Sequence, residues 1–345
     1  MPFRKILICI LCSALWSCDK DDTLDISESQ MAHILDKLAF SCTQEMSHLP
    51  NVSPDAQGLY NYARMLQSDE GVKDHLKIER YYRLAYAAGS YKAASNLHTL
   101  IFQGNIQSDD PENEVIDIVE SMIAQGIPGG YYDMGHYLEI GYGVKQDTSR
   151  ANSYFRRAAD LGNPEAQLYV SKLLEQARAD EKLVIDMRRC AMDQGNAQAA
   201  FNYGVYVKTR GNYPEAIQAF QKGVRYGSLN SAGFLRGGFS STDPTQEQYY
   251  FALPADAERT ARYDRISTFL RTYEHLGANI PDIENIVPLP PAKLPEWDGA
   301  FEWQKQRDSA PPVKIPSEEM IRKLSNEKGL NPVTGRYLVK TKKQP

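Results

Sequence analysis

The chain has 345 residues, is 42% hydrophobic and 24% charged, and carries a formal net charge of −5 at pH 7. That length accommodates two domains or one elongated one. The mildly acidic balance argues against nucleic-acid binding and against electrostatic docking on anionic lipid. Beyond the N-terminus no segment is apolar enough to be a transmembrane helix.

The first predicted element is a secretory signal over residues 1–17. Arg4 and Lys5 form its basic region, and Ile6 to Ala14 form an apolar run too short to span a bilayer comfortably. Leu15, Trp16 and Ser17 then precede Cys18. This arrangement resembles a bacterial lipoprotein signal. The resemblance implies cleavage before Cys18, lipid on its sulfur, and a periplasmic protein anchored to a membrane. Trp16 is bulkier than the pattern favours, so an ordinary secretion signal with a chance cysteine is the alternative. Asp19 resembles the inner-membrane retention signal of enteric bacteria, and the outer membrane stays open. Cys9 and Cys12 lie inside the signal, where a redox pair has no use. Cys42 and Cys190 could pair in an oxidising compartment or remain two buried thiols.

Residues 18–53 read as anchor, short tether and capping helix. Ser27 and Gln30 form a capping box. The helix it opens is predicted over 27–47, with Met31, Ile34, Leu35, Leu38, Cys42 and Met46 as its apolar stripe. Cys18 to Ser27 is nine peptide steps, at most about 30 Å when extended.

Residues 54–237 carry a repeat. Gly89, Gly126, Gly162, Gly195 and Gly227 recur at spacings of 37, 36, 33 and 32, a period typical of helical-hairpin solenoids. Fifteen residues before them stand the helix starters Asp74, Asp147, Asp180 and Asn212, with Asp110-Pro111 in the second repeat. Apolar or small residues recur eleven, eight and four before each glycine, on one helical face. Each glycine suits a left-handed C-terminal cap. Four residues after it comes a small residue, in turn Ala93, Gly130, Ala166, Ala199 and Ser231. Eight after comes Leu97, Met134, Val170, Tyr203 or Leu235. Each unit is thus two helices that hide their stripes against the next unit.

The stretch Gly141-Tyr142-Gly143-Val144, Asp147, Arg150-Ala151, Tyr154-Phe155, Arg157-Ala158-Ala159, Gly162 and Ala166 resembles the SEL-like repeat, a relative of the tetratricopeptide repeat. The resemblance spans about residues 54–237 and is specific at 141–166. It implies an all-α, right-handed solenoid of about five hairpins that serves as a protein-binding scaffold, without the regular disulfides of the family's cysteine-rich members. It also implies that the first helix of each hairpin lines a groove, at offsets of 3, 6, 10 and 13 after the glycine. Those offsets select Lys92, Ser95, Thr99 and Phe102; Tyr132, His136 and Glu139; Leu168, Lys172 and Glu175; and Phe201, Val205 and Lys208. Aromatic anchors among orienting charges suit protein recognition; stacking between repeats is the plainer reading for several of them.

In residues 238–345 the period stops. Ala257, Ala261, Ile266, Phe269, Leu270 and Tyr273 predict a helix over 256–276. The proline-rich stretch 281–316 is interleaved with Ile283, Ile286, Val287, Trp297, Phe301 and Trp303, more large apolar groups than a disordered linker carries. It therefore reads as an ordered extended segment packed on the helices. Ser317 caps a short helix that ends near Gly329. This region resembles an uncharacterised domain that follows SEL-like repeats in some bacterial proteins.

Enzymatic signals are missing. His33, His48, His75, His98, His136 and His275 are not spaced as metal pairs, and there is neither a phosphate-cradling glycine loop nor a G-x-S-x-G elbow. Ser325 to Lys328 has S-x-x-K spacing without companion motifs. The expectation is a non-enzymatic protein with no cofactor and no metal, whose partner is another protein and not nucleic acid. Some bacterial SEL-like-repeat lipoproteins are similar and act as immunity proteins against phospholipase effectors of type VI secretion, so the resemblance implies a secreted lipase as the partner. An envelope scaffold or regulator is the alternative.

Overall fold

The computed structural model describes residues 39–69 and 71–338. The chain divides into two units, Met1–Ala39 and Phe40–Pro345; the second holds the described fold. The signal, Cys18, the Ser27–Gln30 box and residues 31–38 lie outside the described residues.

Among the described residues there are fifteen α-helices and no named strand. They are α1 Pro54–Ser68, α2 His75–Ala87, α3 Tyr91–Phe102, α4 Pro111–Ala124, α5 Pro128–Ile140, α6 Thr148–Asp160, α7 Pro164–Gln176, α8 Glu181–Asp193, α9 Ala197–Thr209, α10 Tyr213–Arg225, α11 Leu229–Ser240, α12 Ala257–Thr272, α13 Ile283–Ile286, α14 Glu302–Ser309 and α15 Glu318–Lys328. Helices α1 to α12 pack as successive hairpins, each against its neighbours in sequence. This is the expected all-α solenoid. The pairing crosses residue 238, because α12 folds against α11 as a sixth hairpin.

Local chemistry places the helix ends. Asp74, Asp147, Asp180 and Asn212 accept hydrogen bonds from amides in the first turns of α2, α6, α8 and α10. Asp110 makes no such bond, and Pro111 alone marks that start. Directly after the repeat glycines, Ser90, Asn163, Asn196 and Ser228 cap the following helices in the same way. All five repeat glycines have positive φ. The small residues four positions later are packed without room: a Cβ on Gly130 would lie 2.7 Å from the Met122 Cβ. Phe155 is fully buried, and its ring fills the space beside Gly135, where a Cβ would stand 2.5 Å from it.

The described end of the predicted 27–47 helix is not α-helical. Residues 39–44 are irregular, and only Glu45–Ser47 forms a 3-10 turn. Cys42 is bonded to Cys190 of α8. The Thr43 carbonyl accepts from Gln167 Nε2 at 3.1 Å and Gln194 Nε2 at 3.3 Å, and the Glu45 amide donates to Gln194 Oε1 at 2.8 Å. Backbone groups satisfied sideways are not free for a helix's own ladder. This strap lies against the turn at Gly162, whose absent Cβ would meet the Gln44 carbonyl carbon at 2.5 Å.

The proline-rich segment is ordered and packed, with Ile283, Ile286, Val287 and Phe301 buried. Its mode of packing differs from the expected stripe on α12. Ala257 and Ala261 are exposed, while Arg259 and Arg262 are buried on the inner face. Arg262 donates to the carbonyls of Ile286 at 2.6 Å and Pro295 at 2.8 Å; Arg259 donates to those of Pro288 and Ala292. Proline brings no backbone N–H, so a proline-rich chain is short of donors for its carbonyls, and the guanidinium forks supply them. Farther on, α15 and the Leu330–Tyr337 bridge reach back to the first repeats. Arg80 of α2 donates to the Pro332 carbonyl at 2.8 Å and pairs with Glu318 at 2.9 Å. Arg336 pairs with Glu79 at 2.7 Å and donates to the Gln107 carbonyl at 2.8 Å.

Candidate protein-binding surface

The residues selected at the expected groove positions fall into separate settings. Lys92, Ser95 and Thr99 lie on the accessible side of α3, with the Thr99 hydroxyl bonded back to the Ser95 carbonyl at 2.8 Å. Phe102 is 42% exposed and meets Tyr142 edge-on at 4.9 Å. It borders a hollow of ≈ 420 Å³ that also touches Arg336.

Tyr132, His136 and Glu139 of α5 form one aromatic shelf with Tyr169 of α7. The rings of Tyr132 and His136 sit 4.6 Å apart, and those of His136 and Tyr169 sit 5.1 Å apart. Glu139 accepts from the Tyr169 hydroxyl at 2.6 Å and lies 3.0 Å from His136 Nδ1. Burial, then the nearby Glu165, Asp133 and Glu139, push the Tyr132 hydroxyl up to about 12. Burial, then Glu139, also raise Tyr169. Glu139, with Asp133 and Glu165 nearby, makes the shelf electronegative. Beside it, buried His98 contacts the Tyr137 hydroxyl at 2.9 Å and Asp133 at 3.0 Å, a closed polar contact beneath the surface.

Lys172, Glu175, Phe201 and Val205 line a cleft of ≈ 770 Å³ between α7 and α9, together with Tyr206 and Arg178. Val184 forms part of its floor and is almost fully buried. Glu175 is held by Arg188 through two contacts of 3.1 and 2.6 Å, and that Arg188 hydrogen bond keeps its carboxyl below the usual range. Arg210 pairs with Glu181 and lies over the Tyr206 ring at 3.6 Å.

Two expected groove residues are placed otherwise. Leu168 is only 6% exposed and belongs to the core cluster, because its position on α7 turns inward between neighbouring repeats. Lys208 donates to the Glu247 carbonyl and lies 5.2 Å over Phe251, a packing contact with the segment after α11; burial lowers its ammonium. Tyr169, Tyr206 and Arg178 were not selected. The two tyrosines stand one residue beyond the groove offsets, and Arg178 lies outside them, in the turn between α7 and α8.

Among the described residues no group of three or more His, Cys, Asp or Glu side chains could hold a metal ion, and no helix is long and apolar enough to cross a membrane.

Residues 231–338 match the model of a domain of unknown function, DUF6396. No curated protein matches the chain in sequence. The structure is similar to that of immunity protein Pa5087 from Pseudomonas aeruginosa, with 28% identity, a TM-score of 0.59, and coverage of 73% of this chain and 95% of that one. It is similar to immunity protein PA5088 from the same organism, with 26% identity, a TM-score of 0.61, and coverage of 73% and 94%. A Sel1 repeat protein from Oxalobacter formigenes is similar over 63% of this chain and 90% of that one, with 20% identity and a TM-score of 0.47. The hairpins stack as an all-α solenoid, and the chain continues into the uncharacterised domain matched at residues 231–338.

Proposed function

We propose that this chain is a protein-binding immunity lipoprotein. It is anchored at the periplasmic face of a membrane by lipid on Cys18, and it neutralises a phospholipase effector delivered by type VI secretion. The observation that carries the reading is the likeness to two immunity proteins over nearly their whole length, at 26% and 28% identity. The surface supports it. The shelf at Tyr132 and Tyr169 and the cleft at Val205 and Tyr206 offer half-buried aromatic and aliphatic groups rimmed by charge, the composition of a recognition surface. The Cys42–Cys190 bond fits an oxidising compartment.

The test is a deletion strain challenged by its siblings, with and without the gene of an adjacent lipase. Expected are loss of resistance only when the lipase is present, and co-purification of the two proteins. A deletion strain that keeps full resistance, with no lipase bound, overturns the effector reading in favour of an envelope scaffold. A Cys18→Ala variant is expected free in the periplasm; one that stays in the membrane fraction removes the anchor.

A further inference from the structure

Three of the turns that join the first helix of a hairpin to its second contain a left-handed glycine: Gly104, Gly141 and Gly211, with φ of 72°, 74° and 76°. The bond over each is the same: the next residue's amide donates to the carbonyl five positions back, as Asn105 to Leu100, Tyr142 to Tyr137 and Asn212 to Val207. The α7–α8 turn makes the equivalent bond, Ala179 to Leu174, but its left-handed residue is Arg178, at φ 53°. A side chain there crowds its own backbone, and a residue held in such a conformation points to a use. Arg178 is exposed on the rim of the α7–α9 cleft.

Charge gives that use. On the rim, Glu175 is matched by Arg188 and Glu181 by Arg210. Lys172 and Arg178 make no ion pair among the described residues and are exposed. The unmatched charge of the cleft is therefore positive, over the apolar groups Val184, Phe201 and Val205. One helical turn before Lys172 stands Tyr169, on the shelf. There the formal charge is negative: Asp133 and Glu139 face only His98 and His136, Glu165 accepts from Asn196, and none of the three meets a lysine or arginine among the described residues.

We propose that the two sites form one polarised docking surface. It takes a segment of a partner protein that rests a lysine or arginine on the Tyr132–Tyr169 shelf and places an apolar side chain flanked by carboxylates in the α7–α9 cleft, against Lys172 and Arg178. A cation over electron-rich rings beside carboxylates is attracted by both, and opposite potentials side by side fix the direction in which the segment lies. The proposal rests on the protein-binding reading above and adds the partner's chemistry to it.

The test uses two fluorescent peptides on the full chain. One is acidic, Glu-Asp-Phe-Asp-Glu, and one basic, Lys-Arg-Phe-Arg-Lys; both are capped at each end and titrated by anisotropy at low salt. Lys172→Glu with Arg178→Glu is expected to weaken the acidic peptide at least tenfold and leave the basic one within twofold. Glu139→Gln with Glu165→Gln is expected to do the reverse. Arg178→Gly is the decisive variant: it should weaken the acidic peptide severalfold while Tm stays level or rises, since glycine is at ease in that turn. Absence of binding by either peptide at millimolar concentration, competition of the two for one site, or an Arg178→Gly variant that binds normally overturns the proposal. Retained peptide selectivity with no lipase partner would instead sink the effector reading and leave the surface standing.

Discussion

In the repeats, a helix turns an apolar stripe inward and meets a small residue on the helix beside it, as Phe155 does beside Gly135. In the C-terminal segment, α12 turns two arginines inward, and their forks meet the bare carbonyls of a proline-rich chain. Both sets of side chains are buried. The first is held by area and shape, which no solvent condition short of denaturant removes. The second is held by directed bonds that fail if the donor is taken away. Residues 317–338 take this second mode to the surface, where Arg80 and Arg336 fasten them to the first repeats.

The comparison can be broken in several places. The largest effect is expected in the repeats: Phe155→Ala leaves a cavity in a site with no slack and should cost about 3–5 kcal/mol, read from urea unfolding of the whole unit. Next comes the strap. Cys42→Ser with Cys190→Ser should cost about 2–4 kcal/mol, and hydrogen exchange should quicken at residues 42–47 while α12 stays protected. If α12 loosens as well, the strap and the C-terminal segment are not separate devices. Arg262→Leu keeps apolar volume but strands two carbonyls, at about 1–3 kcal/mol. Protease cleavage near 286–296 should rise before the repeats unfold, and an unchanged cleavage rate would assign α12 the same apolar logic as the repeats.

The smallest effect concerns pH. The Arg80 hydrogen bond lowers the Glu318 carboxyl. Burial pushes Glu114 up, but hydrogen bonds from Arg83 and Ser108 outweigh it and leave it lowered. A carboxylate depressed in the folded state adds stability above its unfolded pKa, and that stability is lost as pH falls through the folded value. Docking of 317–338 should therefore weaken on acidification below about pH 4.5, seen as faster proteolysis of 310–316. Glu318→Gln should flatten this response, whereas the apolar stripes of α6 and α7 do not titrate.

Much of the repeat was legible because its cause is periodic. The glycine spacing, the caps at Asp74, Asp147 and Asp180, and the small residues from Ala93 to Ser231 all follow from helix geometry repeated at fixed intervals. The surface was legible in part. Lys172, Glu175, Phe201 and Val205 do share one cleft, but Leu168 and Lys208 were drawn into packing by neighbours that no offset encodes. Arg178 was readable: it stands in line with Gly104, Gly141 and Gly211, and only attention to the second turn of each repeat would have singled it out.

By itself the sequence determined the class of fold, the register of the hairpins and the ordered character of the proline-rich stretch, because these depend on residues near one another or on a strict period. Tertiary structure alone decided the rest. Whether Cys42 reaches Cys190 depends on where residues 148 positions apart come to lie. Whether Arg259 and Arg262 face inward depends on carbonyls supplied by another segment. Whether the end of the chain returns to α2 depends on the course of every hairpin between. Each is a pairing between distant parts, and burying a charge or straightening a predicted helix is favourable only once the distant partner is in place.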